Sequence, residues 1–77
     1  MQELLQTIVA GLVEDPSAIV ITEDAPNEEG VIVYHLHVAA DDMGRVIGKQ
    51  GRIARAIRII MRSGAAKSNQ KIAVEID

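Results

Sequence analysis

Val46-Ile47-Gly48-Lys49-Gln50-Gly51-Arg52-Ile53 is the stretch on which the reading of this chain turns. Two apolar residues run into a four-residue turn with glycine at both ends. Glycine accepts positive φ and lets a ligand come close to the backbone. A helix is predicted to begin at Arg52. Its first N–H groups have no partner within the helix and sit at the positive end of the helix dipole, a setting that suits phosphate. Lys49 and Arg52 place cationic donors beside them.

Working outward, the helix that follows extends from Arg52 to about Ala66. At 3.6 residues per turn Ile53, Ile57, Ile60 and Gly64 form an apolar stripe, expected to face a sheet. Arg52, Arg55, Arg58 and Arg62 gather on the other side, next to the turn. Before the turn, Asp41 or Asp42 is placed to cap a short helix ending at Ile47. Residues 31–39 alternate as a strand, with Ile32, Tyr34, Leu36 and Val38 on one face and Val31, Val33, His35 and His37 on the other. Residues 24–30 hold Pro26, Asn27 and Gly30, which is turn chemistry, and residues 18–22 read as a β-branched strand. Residues 2–13 repeat with helical period through Leu4, Leu5, Ile8, Val9, Leu12 and Val13, and Asp15-Pro16 stops them. Lys71 to Asp77 is a final strand with Ile72, Val74 and Ile76 inward.

The order is α-β-β-α-α-β. Strands on either side of a helix pair cannot be joined by a tight turn, so the expected fold is α+β: one domain, residues 1–77, with a three-stranded mixed sheet and helices packed on one face.

Net charge is −3 over 77 residues, which by itself speaks against a polyanionic partner. Its distribution speaks for one. Residues 1–44 contain nine acids and no Lys or Arg, while residues 45–71 contain all eight basic residues and no acid. A ligand feels the local potential and not the total. Hydrophobic residues make up 48% of the chain with a single aromatic, Tyr34, so the core is aliphatic and disorder is not expected. Without cysteine there is no disulfide framework or thiolate metal site. No apolar run has membrane-spanning length and the first residues carry no basic segment, so the expected location is the cytoplasm, away from membranes.

Val46-Ile47-Gly48-Lys49-Gln50-Gly51-Arg52-Ile53-Ala54 resembles the signature of KH domains, V-I-G-x-x-G-x-x-I, with the last apolar residue displaced by one place. The element order is similar to the type II, prokaryotic form of that fold. The resemblance extends over the whole chain and is closest to bacterial proteins made of a single KH domain. It implies binding of single-stranded RNA, since KH domains clamp backbone nucleotides with a GXXG loop. On that pattern Gly48, Lys49, Gln50 and Gly51 hold the backbone. Arg45 and Arg52 add phosphate contacts. Val46, Ile47 and Ile53 line the groove where bases lie. It also implies dimers and a larger KH-domain partner, and a role as RNA chaperone or post-transcriptional regulator. The loop centre Lys-Gln carries one charge where two basic residues can stand, which weakens the electrostatic attraction without removing it.

Other chemistries fit poorly. Gly44 to Lys49 is one residue short of a nucleotide P-loop, and Gln50 stands where Ser or Thr would hold Mg²⁺. His35 and His37 share a strand face but nothing fixes further ligands near them, so no metal is expected. Tyr34 lies among core residues, which removes base stacking on a sheet as in RRM domains. Ser17, Ser63 and Ser68 have no nucleophile-elbow setting, so no catalytic residue, cofactor or small-molecule substrate is assigned. The rival reading is a protein-interaction module in which RNA contact is secondary. Ile59 stands among the arginines and Met61 at the edge of the stripe; with Ile60 they form a candidate interface.

Overall fold

The computed structural model describes residues 1–77. Helix α1 spans Gln2–Ala10, followed by a 3₁₀ turn at Pro16–Ala18 and strand β1, Val20–Glu23. Strand β2 is Val31–His37. A second 3₁₀ turn at Ala40–Asp42 leads into α2, Met43–Ile47, and a third at Lys49–Gly51 leads into α3, Arg52–Lys67. Strand β3, Lys71–Ile76, completes the order α-β-β-α-α-β.

The sheet is mixed, with β2 in the centre. Strand β1 pairs with it antiparallel, Val20 opposite His37 and Glu23 opposite Tyr34. Strand β3 pairs with it parallel, Val31 beside Lys71 and Leu36 beside Ile76. The expected α+β architecture is therefore the observed one. Parallel pairing requires a crossover, and α2, the loop and α3 supply it.

Tyr34, Leu36, Val38, Ile72 and Val74 from the sheet side meet Leu5 and Val9 of α1, Val46 of α2 and Ile57, Met61 and Ala65 of α3 in one core. Burial of Tyr34 raises its pKa above the usual 10.0, with hydrogen bonding to and the charge of Glu23 adding to the rise.

Several boundaries move. Helix α1 ends at Ala10 and not at Val13, because the N–H groups of Glu14 and Asp15 are taken at 3.0 and 3.1 Å by the carboxylate of Asp42. Asp42 accordingly does not cap α2 with its side chain; it fastens the α1–β1 connection instead. Pro16 opens a 3₁₀ turn, so β1 begins at Val20.

The stripe on α3 is rotated from the expected one. The buried residues are Ala54, Ile57, Met61 and Ala65. Met61 is fully buried and belongs to the core, so it is withdrawn from the candidate interface, whereas Ile60 is 45% exposed and leaves the core stripe. Gly64 lies against α1, where an added Cβ would stand 3.0 Å from Met1 Cε and 3.3 Å from Leu4 Cδ2. That close approach of α1 fixes which face of α3 turns to the sheet.

Each free sheet edge receives one bond from the helix layer. Gln2 Nε2 donates to the Ile21 carbonyl of β1 at 3.2 Å, and Arg58 Nε donates to the Val74 carbonyl of β3 at 3.2 Å.

Candidate nucleic-acid interface

The link between α2 and α3 is built by three residues with positive φ. Gly48 has φ 75° and ψ 174°, Gln50 has φ 59° and Gly51 has φ 74°. Gly48 occupies a region open essentially to glycine alone. Space forbids a side chain there as well: an added Cβ would meet Ile53, 2.8 Å from its Cβ and 2.9 Å from its nitrogen. The displaced apolar residue of the signature thus has a structural use. Ile53 packs over Gly48 while Ala54, 5% exposed, takes the buried position. Gly51 has open space around its missing Cβ, so only its left-handed backbone argues for glycine.

Lys49, Gln50 and Arg52 are exposed, and no side chain caps the N-terminus of α3. Ile47 is 38% exposed at the end of α2 and Ile53 is half-buried beside the loop. Val46, fully buried, supports the loop from beneath and offers no surface. Arg45 faces solvent but is engaged. Its Nη2 lies 2.7 Å from Glu14 Oε1 and its Nε 3.3 Å from Asp42 Oδ1. Asp42 is 3% exposed, the one buried charged residue.

Two features escape the sequence reading. Glu14 and Asp42 join the site through contacts 31 and 28 residues apart, which no local pattern reveals. The second is a small cavity of about 110 Å³ between α3 and β3, lined by Arg58, Arg62, Ile72, Ala73 and Val74. Asp77 N–H reaches β2 at the Leu36 carbonyl, so alternate residues of β3 turn their backbone groups away from β2. The Val74 carbonyl points outward in this way and is met by Arg58. The clustering of Arg58 and Arg62 on one side of α3 was legible; their proximity to a strand edge was not.

On the sheet face away from the helices, His35 stands between Asp24, 2.8 Å from Nε2, and Glu75, 3.4 Å from Nδ1. The hydrogen bond to Asp24 raises the His35 pKa above the ordinary 6.5; partial burial opposes the rise, and the charges of Asp24, Glu75 and Asp77 add to it. The two acids lie on opposite ring nitrogens and cannot share one ion with the ring, and no group of three or more His, Asp and Glu is arranged to hold a metal.

Residues 2–76 match the family model described as KhpA/KhpB, KH domain. The chain belongs to the KhpA/KhpB family of KH domains. Among KhpA relatives, "RNA-binding protein KhpA" of Clostridium acetobutylicum is 46% identical over 76 residues, covering 99% of both chains. Its counterpart in Listeria monocytogenes serovar 1/2a is 46% identical and covers 99% of this chain and 97% of its own. That of Treponema pallidum is 41% identical over 75 residues, covering 97% and 91%. The KH fold also recurs in a crystal structure of Aquifex aeolicus Era, with TM-score 0.67, 17% identity and 96% of this chain covered against 28% of that one. A structure of Era in complex with MgGDPNP and nucleotides 1506–1542 of 16S ribosomal RNA gives TM-score 0.66 at the same identity and coverage. This family membership agrees with the resemblance read from Val46 to Ala54.

Proposed function

We propose that this chain is a non-catalytic, single-stranded RNA-binding protein that holds the phosphate backbone with Gly48-Lys49-Gln50-Gly51 and serves as an RNA chaperone or post-transcriptional regulator. The observation that carries the reading is Gly48, whose backbone and crowding by Ile53 exclude any side chain and shape an exposed loop into the uncapped start of α3. The names of the KhpA relatives support RNA as the partner. Lys49 and Arg52 supply the cationic side chains for the phosphates, while the N–H groups of Gly51 and Arg52 are already bonded to the Gly48 and Lys49 carbonyls, and Ile47 and Ile53 give apolar surface to bases. Phosphate contacts position the strand and base contacts select it.

The test replaces Lys49 and Gln50 together by Asp. Both side chains are exposed, so circular dichroism is expected to show an unchanged fold while gel-shift titration shows loss of binding. Retained affinity in the folded variant would exclude this loop. Wild-type binding is expected to favour single strands over duplex. Its log–log salt slope is expected at about −2 to −3, from roughly three or four phosphate contacts at ~0.7 each.

A second reading rests on Ile59 and Ile60, which are 56% and 45% exposed side by side on α3. They offer apolar area for a second copy or for a larger KH-domain protein. A homodimer would also offset the weak grip of one small domain through avidity. Sedimentation across tens of micromolar (roughly, a range suited to weak dimers) separates the two partners: self-association lost in Ile59→Glu supports the homodimer, and a monomeric wild type leaves the larger partner.

A further inference from the structure

Arg45 lies one helical turn before Gly48, and its guanidinium is held by two acids of opposite character. Asp42 is buried, and its carboxylate also accepts the N–H groups of Glu14 and Asp15, so it cannot move without undoing the α1–β1 connection. Glu14 presents a side chain that is 75% exposed and pairs with Arg45 alone, 2.7 Å from Nη2. Arg45 itself is 49% exposed. Carboxylate and phosphate oxygens are alternative acceptors for the same guanidinium donors. An exposed pair such as this contributes little net stability and separates readily.

We propose that Glu14 stands in for an RNA phosphate at Arg45, and that Asp42 is the fixed pivot from which Arg45 turns from Glu14 to the RNA. This rests on the RNA-binding reading and adds to it a built-in competitor. While Glu14 holds Nη2, Arg45 adds nothing to backbone affinity. When a strand lies along the loop, the Nε contact to Asp42 persists and Nη2 changes partner. The Glu14–Arg45 pair is itself weakened by salt, so breaking it offsets part of the salt dependence that the Arg45–phosphate contact brings to the wild type.

The experiment is fluorescence anisotropy with a short labelled single-stranded RNA of mixed sequence, on wild type, Glu14→Gln, Arg45→Gln, the double variant and Glu3→Gln. Glu3 is an exposed acid on α1, so its variant removes one charge without touching Arg45. Glu14→Gln is expected to tighten binding about threefold, the scale of one exposed ion pair, and to steepen the salt slope by about 0.7. In the Arg45→Gln background the same change is expected to give no more than Glu3→Gln gives in wild type. A gain that persists without Arg45, or no gain at all, overturns the competitor. A wild type that fails to bind RNA removes the underlying reading instead, and with it the exchange at Arg45.

Discussion

Gly30 closes the turn between β1 and β2 with φ 79°, and Gly48 opens the loop between α2 and α3 with φ 75°. The two turns use the same residue for the same backbone freedom, yet their surroundings are opposite. In the first, Asn27 Oδ1 accepts the N–H groups of Glu29 and Val31 at 2.9 and 3.0 Å, and its carbonyl accepts that of Gly30. That turn consumes its own donors and displays Asp24, Glu28 and Glu29. Nothing lies within 4 Å of the place where a Gly30 Cβ would stand. In the second, the missing Cβ leaves room for Ile53, the exposed residues are Lys49, Gln50 and Arg52, and no side chain caps the helix that follows. Both turns bond backbone N–H groups of their own, so the difference lies in what they display: acids that repel phosphate in the first, Lys49 and Arg52 that attract it in the second.

The contrast is broken most severely at the two glycines. Gly48→Ala is expected to cost about 3 kcal/mol or more, since strain and overlap with Ile53 add, and to abolish RNA binding. Gly30→Ala is expected to cost about 1 kcal/mol, from backbone conformation alone, and to leave binding intact. Urea unfolding of both variants measures the difference; equal costs would mean that Ile53 gives way easily. Asn27→Ala comes next. It leaves two backbone N–H groups to water at an expected cost of about 1–2 kcal/mol, with unchanged RNA affinity by titration. A drop in affinity would tie the acidic turn to the binding end.

The smallest effect lies at His35, which pins the acidic turn through Asp24. Its pKa is raised in the folded chain, so its contribution is complete below the ordinary 6.5 and is lost as pH rises through the higher folded value. The melting temperature is therefore expected to fall slightly from about pH 6 to about pH 8, and the Gln variant of His35 to flatten that fall. A steeper fall in the variant would place the titration elsewhere.

Element order, sheet composition and the loop were legible in the sequence because each has a local signal: β-branched alternation, helical period, paired glycines. The face of α3 was less so. Between Arg52 and Ala66 apolar residues stand at so many positions that stripes through Ile60 and through Met61 are both admissible. The choice is made by α1 packing on Gly64, a contact between distant segments. The role of Asp42 was hidden for a similar reason. As a residue before a short helix it reads as a cap, and only the folded chain brings Glu14 and Asp15 to its carboxylate. Arg45 reads as a free cation until the same contact appears.

A three-stranded sheet has two open margins, and here each is interrupted at one outward carbonyl, by Gln2 on Ile21 and by Arg58 on Val74. An incoming strand from another molecule would have to displace a side chain on either side before it could form a continuous ladder. These two plugs act against edge-to-edge aggregation, the hazard of any short sheet with exposed edges. They also bear on assembly: a second copy that added its sheet at either edge would first have to displace Gln2 or Arg58.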